Sequence, residues 1–171
     1  MNNLYTNTYP TINLYKKTSF KSEIVTQMIY GESFKIINKY SKWMKIKIKE
    51  DRYVGYIRSR KFTTHLKTTH KVSVLSANIY KNSNLEKKIG KLPYTSKLSV
   101  EKITSKFAKF QNKWIETKNI KPIKYEKKNI FKDIKIFKNI KYKWGGKTYD
   151  GIDCSALIQI CLNFNNKFCP R

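Results

Sequence analysis

The run Trp43-Met44-Lys45-Ile46-Lys47-Ile48-Lys49 alternates apolar and charged residues almost without interruption. Successive side chains of a strand point to opposite faces, so Met44, Ile46 and Ile48 share one face and the lysines share the other. A helix would scatter those residues around its circumference. The pattern therefore demands a half-buried antiparallel strand, and such a strand needs neighbours. They are present on both sides: Glu23 to Met28 is β-branched, Ser33 to Ile37 alternates in part, and Tyr53-Val54-Gly55-Tyr56-Ile57 follows the Glu50-Asp51 turn. Tyr30-Gly31-Glu32 separates the first two of these runs. Several short strands with turn signals between them predict a small β-barrel or sandwich from about Leu14 to Phe62.

A similar order recurs from His70 to Ile123, after a linker at His65 to Lys71. Val72 to Leu75 opens it, and Ala77 to Tyr80, Ile89 to Thr95 and Leu98 to Ile103 follow, with Pro93 marking an edge or turn. Phe110 to Thr117 reads as the closing strand. Trp43 and Trp114 hold matching places in the two segments, which read as two copies of one β-module. The first copy, YGESFKIINKYSKWMKIKIKEDRYVGYIRSRKF, resembles the bacterial SH3 (SH3b) family. The second is a degenerate copy without the closing Y-x-G-Y element.

The formal charge is +26, from 37 lysines and arginines against 11 acids, which alone would suggest an anionic partner. Lysine dominates arginine and is spread along the whole chain amid Ile, Asn and Tyr, the usage of an A+T-rich genome. Dispersed charge supplies only sequence-independent attraction to phosphate, so no specific nucleic-acid partner is expected. The opening residues lack a basic then apolar leader, and no apolar run reaches membrane-spanning length. The reading is a cytoplasmic protein with free thiols. Cys154, Cys161 and Cys169 fit no common zinc spacing and no CxxC pair, so no metal or cofactor is expected.

The chemistry gathers in YKWGGKTYDGIDCSALIQICLNF, Tyr142 to Phe164. A linker at Lys124 to Asn129 and a short helix at Ile130 to Phe137 precede it. Asp153-Cys154-Ser155 opens a helix whose Ala156, Leu157, Ile160, Cys161 and Phe164 fall on one face, with Asp153 or Ser155 as N-cap. A thiol at a helix start meets the positive end of the dipole and unpaired N–H groups, which favour its nucleophilic form and can hold an oxyanion. Gly145, Gly146 and Gly151 allow tight turns and close approach of a substrate backbone. The plainer reading of Cys154 is a buried structural cysteine; Cys161, on the apolar face, reads as core.

The run Tyr142-x-Trp144-Gly145-Gly146-(x4)-Gly151-x-Asp153-Cys154-Ser155-x-Leu157 closely resembles the front half of an NlpC/P60 cysteine peptidase, and Cys169-Pro170-Arg171 resembles that family's P-R-D turn. With the SH3b-like copies, the chain is similar to γ-D-glutamyl–L-diamino acid endopeptidases that cut murein peptides. The resemblance implies a mainly β chain: an SH3b-like domain at 1–66, a second at 70–123 and the N-terminal part of a papain-like α+β domain at 128–171. It implies a murein-derived peptide substrate, Cys154 as nucleophile, Tyr142 lining the cleft, and Asp153 and Ser155 shaping the turn and contacting substrate. It also implies that Glu32, with Tyr53 or Tyr56, captures a substrate amine. From the residues alone Glu32 reads equally as an exposed turn carboxylate, and the tyrosines as barrel core.

Two departures stand out. Ala156 replaces the family's usual glycine. No histidine follows Cys154, whereas the family's base lies downstream of the nucleophile. The expectation is an incomplete, inactive fragment whose final helix presents its apolar face without a covering sheet. The alternative is a non-catalytic SH3b module that binds wall peptides or anionic polymer.

Overall fold

The computed structural model describes residues 4–84 and 86–171, so the first three residues of the first expected domain lie outside it. The fold is mainly β, built from antiparallel SH3-like sheets. Seven strands make the first sheet: β1 (Leu4–Thr6), β2 (Thr11–Tyr15), β3 (Ile24–Ile29), β4 (Ser33–Lys39), β5 (Trp43–Ile48), β6 (Val54–Arg58) and β7 (Thr63–Thr64). Their spatial order is β3-β2-β6-β5-β4-β1-β7. Met44, Ile46 and Ile48 of β5 all point inward, against Leu14, Met28, Phe34 and Ile57, while Lys47 faces solvent. The apolar half of the β5 alternation is thus part of the inner face of this unit.

The second unit contains β8 (His70–Val72), β9 (Ser76–Tyr80), β10 (Lys88–Pro93), β11 (Lys97–Leu98), β12 (Val100–Ile103), β13 (Phe107–Phe110), β14 (Lys113–Glu116) and β15 (Ile120–Pro122). They form two sheets, β10-β9-β14-β13-β12 and β11-β8-β15, around Val72, Ala77, Ile79, Leu92, Phe110 and Ile115. Two sequence expectations need correction. Phe110 to Thr117 is not one strand but a hairpin, turned at Gln111 and Asn112, both with positive φ (43° and 58°). Such a two-residue turn matches strand twist but normally signals itself through glycine, which is absent here. His70 and Lys71 belong to β8 rather than to a linker, and that strand ends at Val72.

The two units pack tightly together. Tyr30, from the end of β3, is buried in the core of the second unit, edge-on to Phe110, and its hydroxyl pairs with Gln111. Gly31 has φ +82°, and a Cβ there would lie 2.1 Å from the carbonyl oxygen of Lys97. Only glycine permits that turn and that approach. Lys97 also bonds Glu50 at 2.9 Å.

The last segment comprises a 3₁₀ helix (Ile130–Phe137), a short hairpin of β16 (Lys147–Thr148) and β17 (Gly151–Ile152), and helix α1 (Cys154–Phe164). The expected uncovered face of α1 is covered. Ala156, Ile160, Cys161 and Phe164 are buried against Phe137, Ile152 and Tyr94, the last contributed by the second unit. Tyr94 stacks on Phe164 with centroids 4.9 Å apart and meets Phe137 edge-on at 5.9 Å. Burying several large side chains this way supplies the packing that an isolated eleven-residue helix lacks. No helix among the described residues is long and apolar enough to cross a membrane.

Candidate active site

Cys154 is the first residue of α1 and is exposed to solvent. Asp153 immediately before it has extended backbone dihedrals, and its Oδ1 accepts hydrogen bonds from the N–H of Ala156 (2.8 Å) and the hydroxyl of Ser155 (2.9 Å). This is N-capping geometry, which satisfies an orphan donor of the first turn and fixes where the helix begins. Asp153 Oδ2 pairs with the Arg171 guanidinium. Both side chains are nearly inaccessible, so the capping carboxylate is saturated from within the chain. The structure thus assigns the cap to Asp153; Ser155 is exposed and bonds to that cap.

A cleft of about 430 Å³ lies over Cys154, bounded by Ile134, Lys135, Phe137, Lys138, Ile140, Tyr142, Ile152, Asp153 and Leu157. Tyr142 stands at its edge, 64% exposed, with its backbone bridged to Ile152. The structure therefore brings Tyr142, Asp153 and Cys154 together around one apolar-walled opening that carries two lysines. A small acyl group could enter there and meet the thiol beside free N–H groups at the helix start.

The other three candidates lie elsewhere. Glu32 is buried rather than an exposed turn carboxylate: Oε2 accepts from Ile29 N (2.8 Å) and Oε1 from Lys147 Nζ (2.7 Å). Tyr56 lies on the outer side of β6, half-buried, near Tyr40 and Lys45, and Tyr53 is half-buried beside Asp51. None of them lines the cleft. Neither histidine approaches it either. His65 Nδ1 lies 3.3 Å from Ser33 Oγ, and His70 Nδ1 lies 3.0 Å from Thr69 Oγ1, with burial lowering the pKa of His70.

The glycines of the motif face protein rather than open space. Gly145 has φ +69°, and a Cβ there would sit 2.4 Å from the carbonyl oxygen of Ile24 on β3. Gly146 lies against the carbonyl of Gly151 across the hairpin. The expectation of a substrate backbone at these positions gives way to packing within the chain.

Sequence reasoning missed Lys147 and Lys71. Lys147 is buried and reaches Glu32 at 2.7 Å and Asp51 at 3.5 Å. Burial works against its ammonium, yet Glu32 and Asp51 outweigh burial and raise its pKa above the ordinary lysine value. The Glu32 carboxyl is raised as well, chiefly by burial, which outweighs the pull of Lys147 with help from Glu50 and Asp51. Lys71 on β8 is equally buried and donates to the carbonyl of Phe164, the last residue of α1, and to Asn166 Oδ1 (3.3 Å). In a chain rich in lysine nothing marks these two. Arg171 had a signal, the terminal Pro-Arg resembling a family turn.

Comparison with known proteins bears on the fold. Residues 14–62 match the family described as the bacterial dipeptidyl-peptidase SH3 domain. No curated protein matches the chain. The crystal structure of an NlpC/P60 family protein from Bacillus cereus ATCC 10987 superposes with a TM-score of 0.83, covering 98% of this chain and 74% of that one at 13% identity. NlpC2 and NlpC1 from Trichomonas vaginalis give TM-scores of 0.36 at 16% identity, across 100% of this chain and 69% and 66% of theirs. The first unit is thus similar to a bacterial SH3 domain, and the whole chain has the fold of the Bacillus cereus protein.

Proposed function

We propose that this chain carries the nucleophile side of an NlpC/P60-type cysteine peptidase site that acts on murein-derived peptides at the γ-D-glutamyl–diamino acid bond. One observation carries the reading. The exposed thiol of α1 sits on its first residue, behind a saturated Asp cap, and lines a cleft. A fold similar to that of an NlpC/P60 protein supports it.

In this reading the Cys154 sulfur attacks the carbonyl carbon of the scissile amide. The oxyanion is received by N–H groups at the helix start other than those of Ala156 and Leu157, which Asp153 already holds. The C–N bond then breaks as the amine leaves with a proton from the base, and water cleaves the resulting thioester. Tyr142 borders the bound acyl group. Asp153 acts on the turn rather than on substrate, because both its oxygens are occupied, whereas the exposed Ser155 remains a candidate substrate contact. Capture of a substrate amine by Glu32 would require displacing Lys147, and Tyr53 and Tyr56 would serve only a ligand that extends over the first unit.

Hydrolysis also needs a base. The sequence has two histidines, neither at the cleft, so residues 1–171 alone are expected to be alkylated at Cys154 yet not to hydrolyse peptide. The test compares L-Ala-γ-D-Glu-diamino-acid peptide cleavage by this chain, by the chain joined to a histidine-bearing sheet, and by that joined protein with Cys154→Ala. Cleavage only in the second supports the reading. An inert joined protein, or one that still cleaves with Cys154→Ala, refutes it. Saturable peptide binding that survives Cys154→Ala in an inert joined protein would instead favour a binding module.

A further inference from the structure

Three of four consecutive residues in the motif, Trp144, Gly145 and Lys147, are held by the first β-unit. Trp144 Nε1 donates to Glu23 (2.8 Å), and Gly145 packs on the Ile24 carbonyl. Lys147 N donates to Gln27 Oε1 (2.8 Å), and its Nζ reaches Glu32 and Asp51. From there the path to the nucleophile is short. Lys147 pairs with Ile152 across the β16–β17 hairpin, and Asp153 N donates to the carbonyl of Gly146 (3.2 Å). Asp153 caps α1 and precedes Cys154.

We propose that Lys147 is a positioning residue for Cys154, and that through it the first β-unit is a structural part of the nucleophile site rather than a tethered accessory. The proposal rests on the reading of Cys154 as a nucleophile. The segment between Trp144 and Cys154 contains only two-residue strands, too little regular structure to fix a turn alone. Its position is set where a buried ammonium meets two buried carboxylates, with Glu50 and Arg171 as the other charges nearby. Such an ion pair in a dry interior has one good geometry, and a fixed second shell holds a reactive group in register. The W-G-G-K part of the motif is then a clasp that leaves Tyr142 and Cys154 to face the cleft.

The experiment measures the second-order rate of iodoacetamide alkylation at Cys154 by mass spectrometry, on the full chain, at a temperature where circular dichroism shows each variant folded. Lys147→Met is expected to slow alkylation severalfold, because a displaced Cys154 loses the N–H groups and positive dipole end of the helix start. Lys147→Arg, which keeps the charge, is expected to recover most of the rate. Lys71→Met, which loosens the far end of α1, is expected to lower the Tm and leave the rate unchanged. If Lys147→Met does not fold, Glu32→Gln reads the same contact and is expected to slow alkylation severalfold.

A folded Lys147→Met protein (or, in its place, Glu32→Gln) that reacts at the wild-type rate overturns the proposal. So does a Lys71→Met protein slowed equally, since that would mean general loosening, and so does a folded Lys147→Arg protein as slow as Lys147→Met. Hydrolysis plays no part in this readout. An inert joined protein would sink the peptidase reading and leave the Lys147 result standing.

Discussion

Lys147 and Lys71 are both buried, and each ties the C-terminal segment to a different β-unit. Their surroundings differ. Lys147 enters the first unit and meets two carboxylates, so its charge is compensated and its pKa is raised. Lys71, on the second unit, meets a helix-terminal carbonyl, a carboxamide and the Phe164 ring at 4.7 Å, and burial pushes it down to about 8. One residue type thus makes a charge-paired clasp near the nucleophile and a dipole cap at the far end of the helix. The clasp specifies position; the cap trades desolvation against hydrogen bonds.

That contrast can be broken experimentally. The largest effect is expected at the clasp. Lys147→Met leaves Glu32 and Asp51 buried without their partner and should cost about 3–5 kcal/mol in urea unfolding. A loss below about 1 kcal/mol would mean that water already reaches the site. Gly145→Ala, on the same side, forces a Cβ toward the Ile24 carbonyl at positive φ and should cost about 1–3 kcal/mol, read as a lower Tm. At the cap, Lys71→Met loses hydrogen bonds but also removes a poorly compensated buried charge, so the net cost at neutral pH should be smaller, about 1 kcal/mol.

The two lysines also give opposite pH signs. For Lys71 the folded pKa lies below the unfolded value of 10.5. Between about 8 and 10.5 the unfolded chain holds a proton that the folded chain has released, so stability rises with pH across that window. For Lys147 the folded pKa is raised, so its contribution is full below 10.5 and fades only as pH climbs through the higher folded value. Comparing the Tm of wild type and Lys71→Met from pH 7.5 to 10 should show the wild type gaining relative to the variant. A constant difference would contradict the assignment.

The same contrast marks what was legible in the sequence. Strand β5 could be read residue by residue, because period-two alternation is a local property of a half-buried strand. A cap at Asp153 or Ser155 and the inward face of α1 were legible for the same reason, and the structure decides for Asp153. The hairpin at Gln111–Asn112 was not, since it adopts a glycine-type conformation without glycine. Nor were the cover over α1, given by Tyr94 from another unit, and the ion pair between Glu32 and Lys147, which lie 115 positions apart. Long-range pairs leave no periodic trace, and among so many lysines a buried one looks like its solvated neighbours. The tight turns at Gly145 and Gly151 are legible, both having positive φ, but a sequence does not show whether the backbone that comes close belongs to substrate or to the chain itself.

Site-resolved alkylation of the three thiols in the native protein shows whether Cys154 is a prepared nucleophile. Cys161 is buried, and burial first, with Asp133 nearby, pushes its pKa up to about 11. Cys169 is half-buried and outside any helix. Limiting iodoacetamide is expected to modify Cys154 first and faster than an unstructured cysteine peptide, with Cys161 spared until the protein unfolds. Cys154 reacting no faster than Cys169 or the free peptide would show that the exposed thiol at the start of α1 is not a prepared nucleophile.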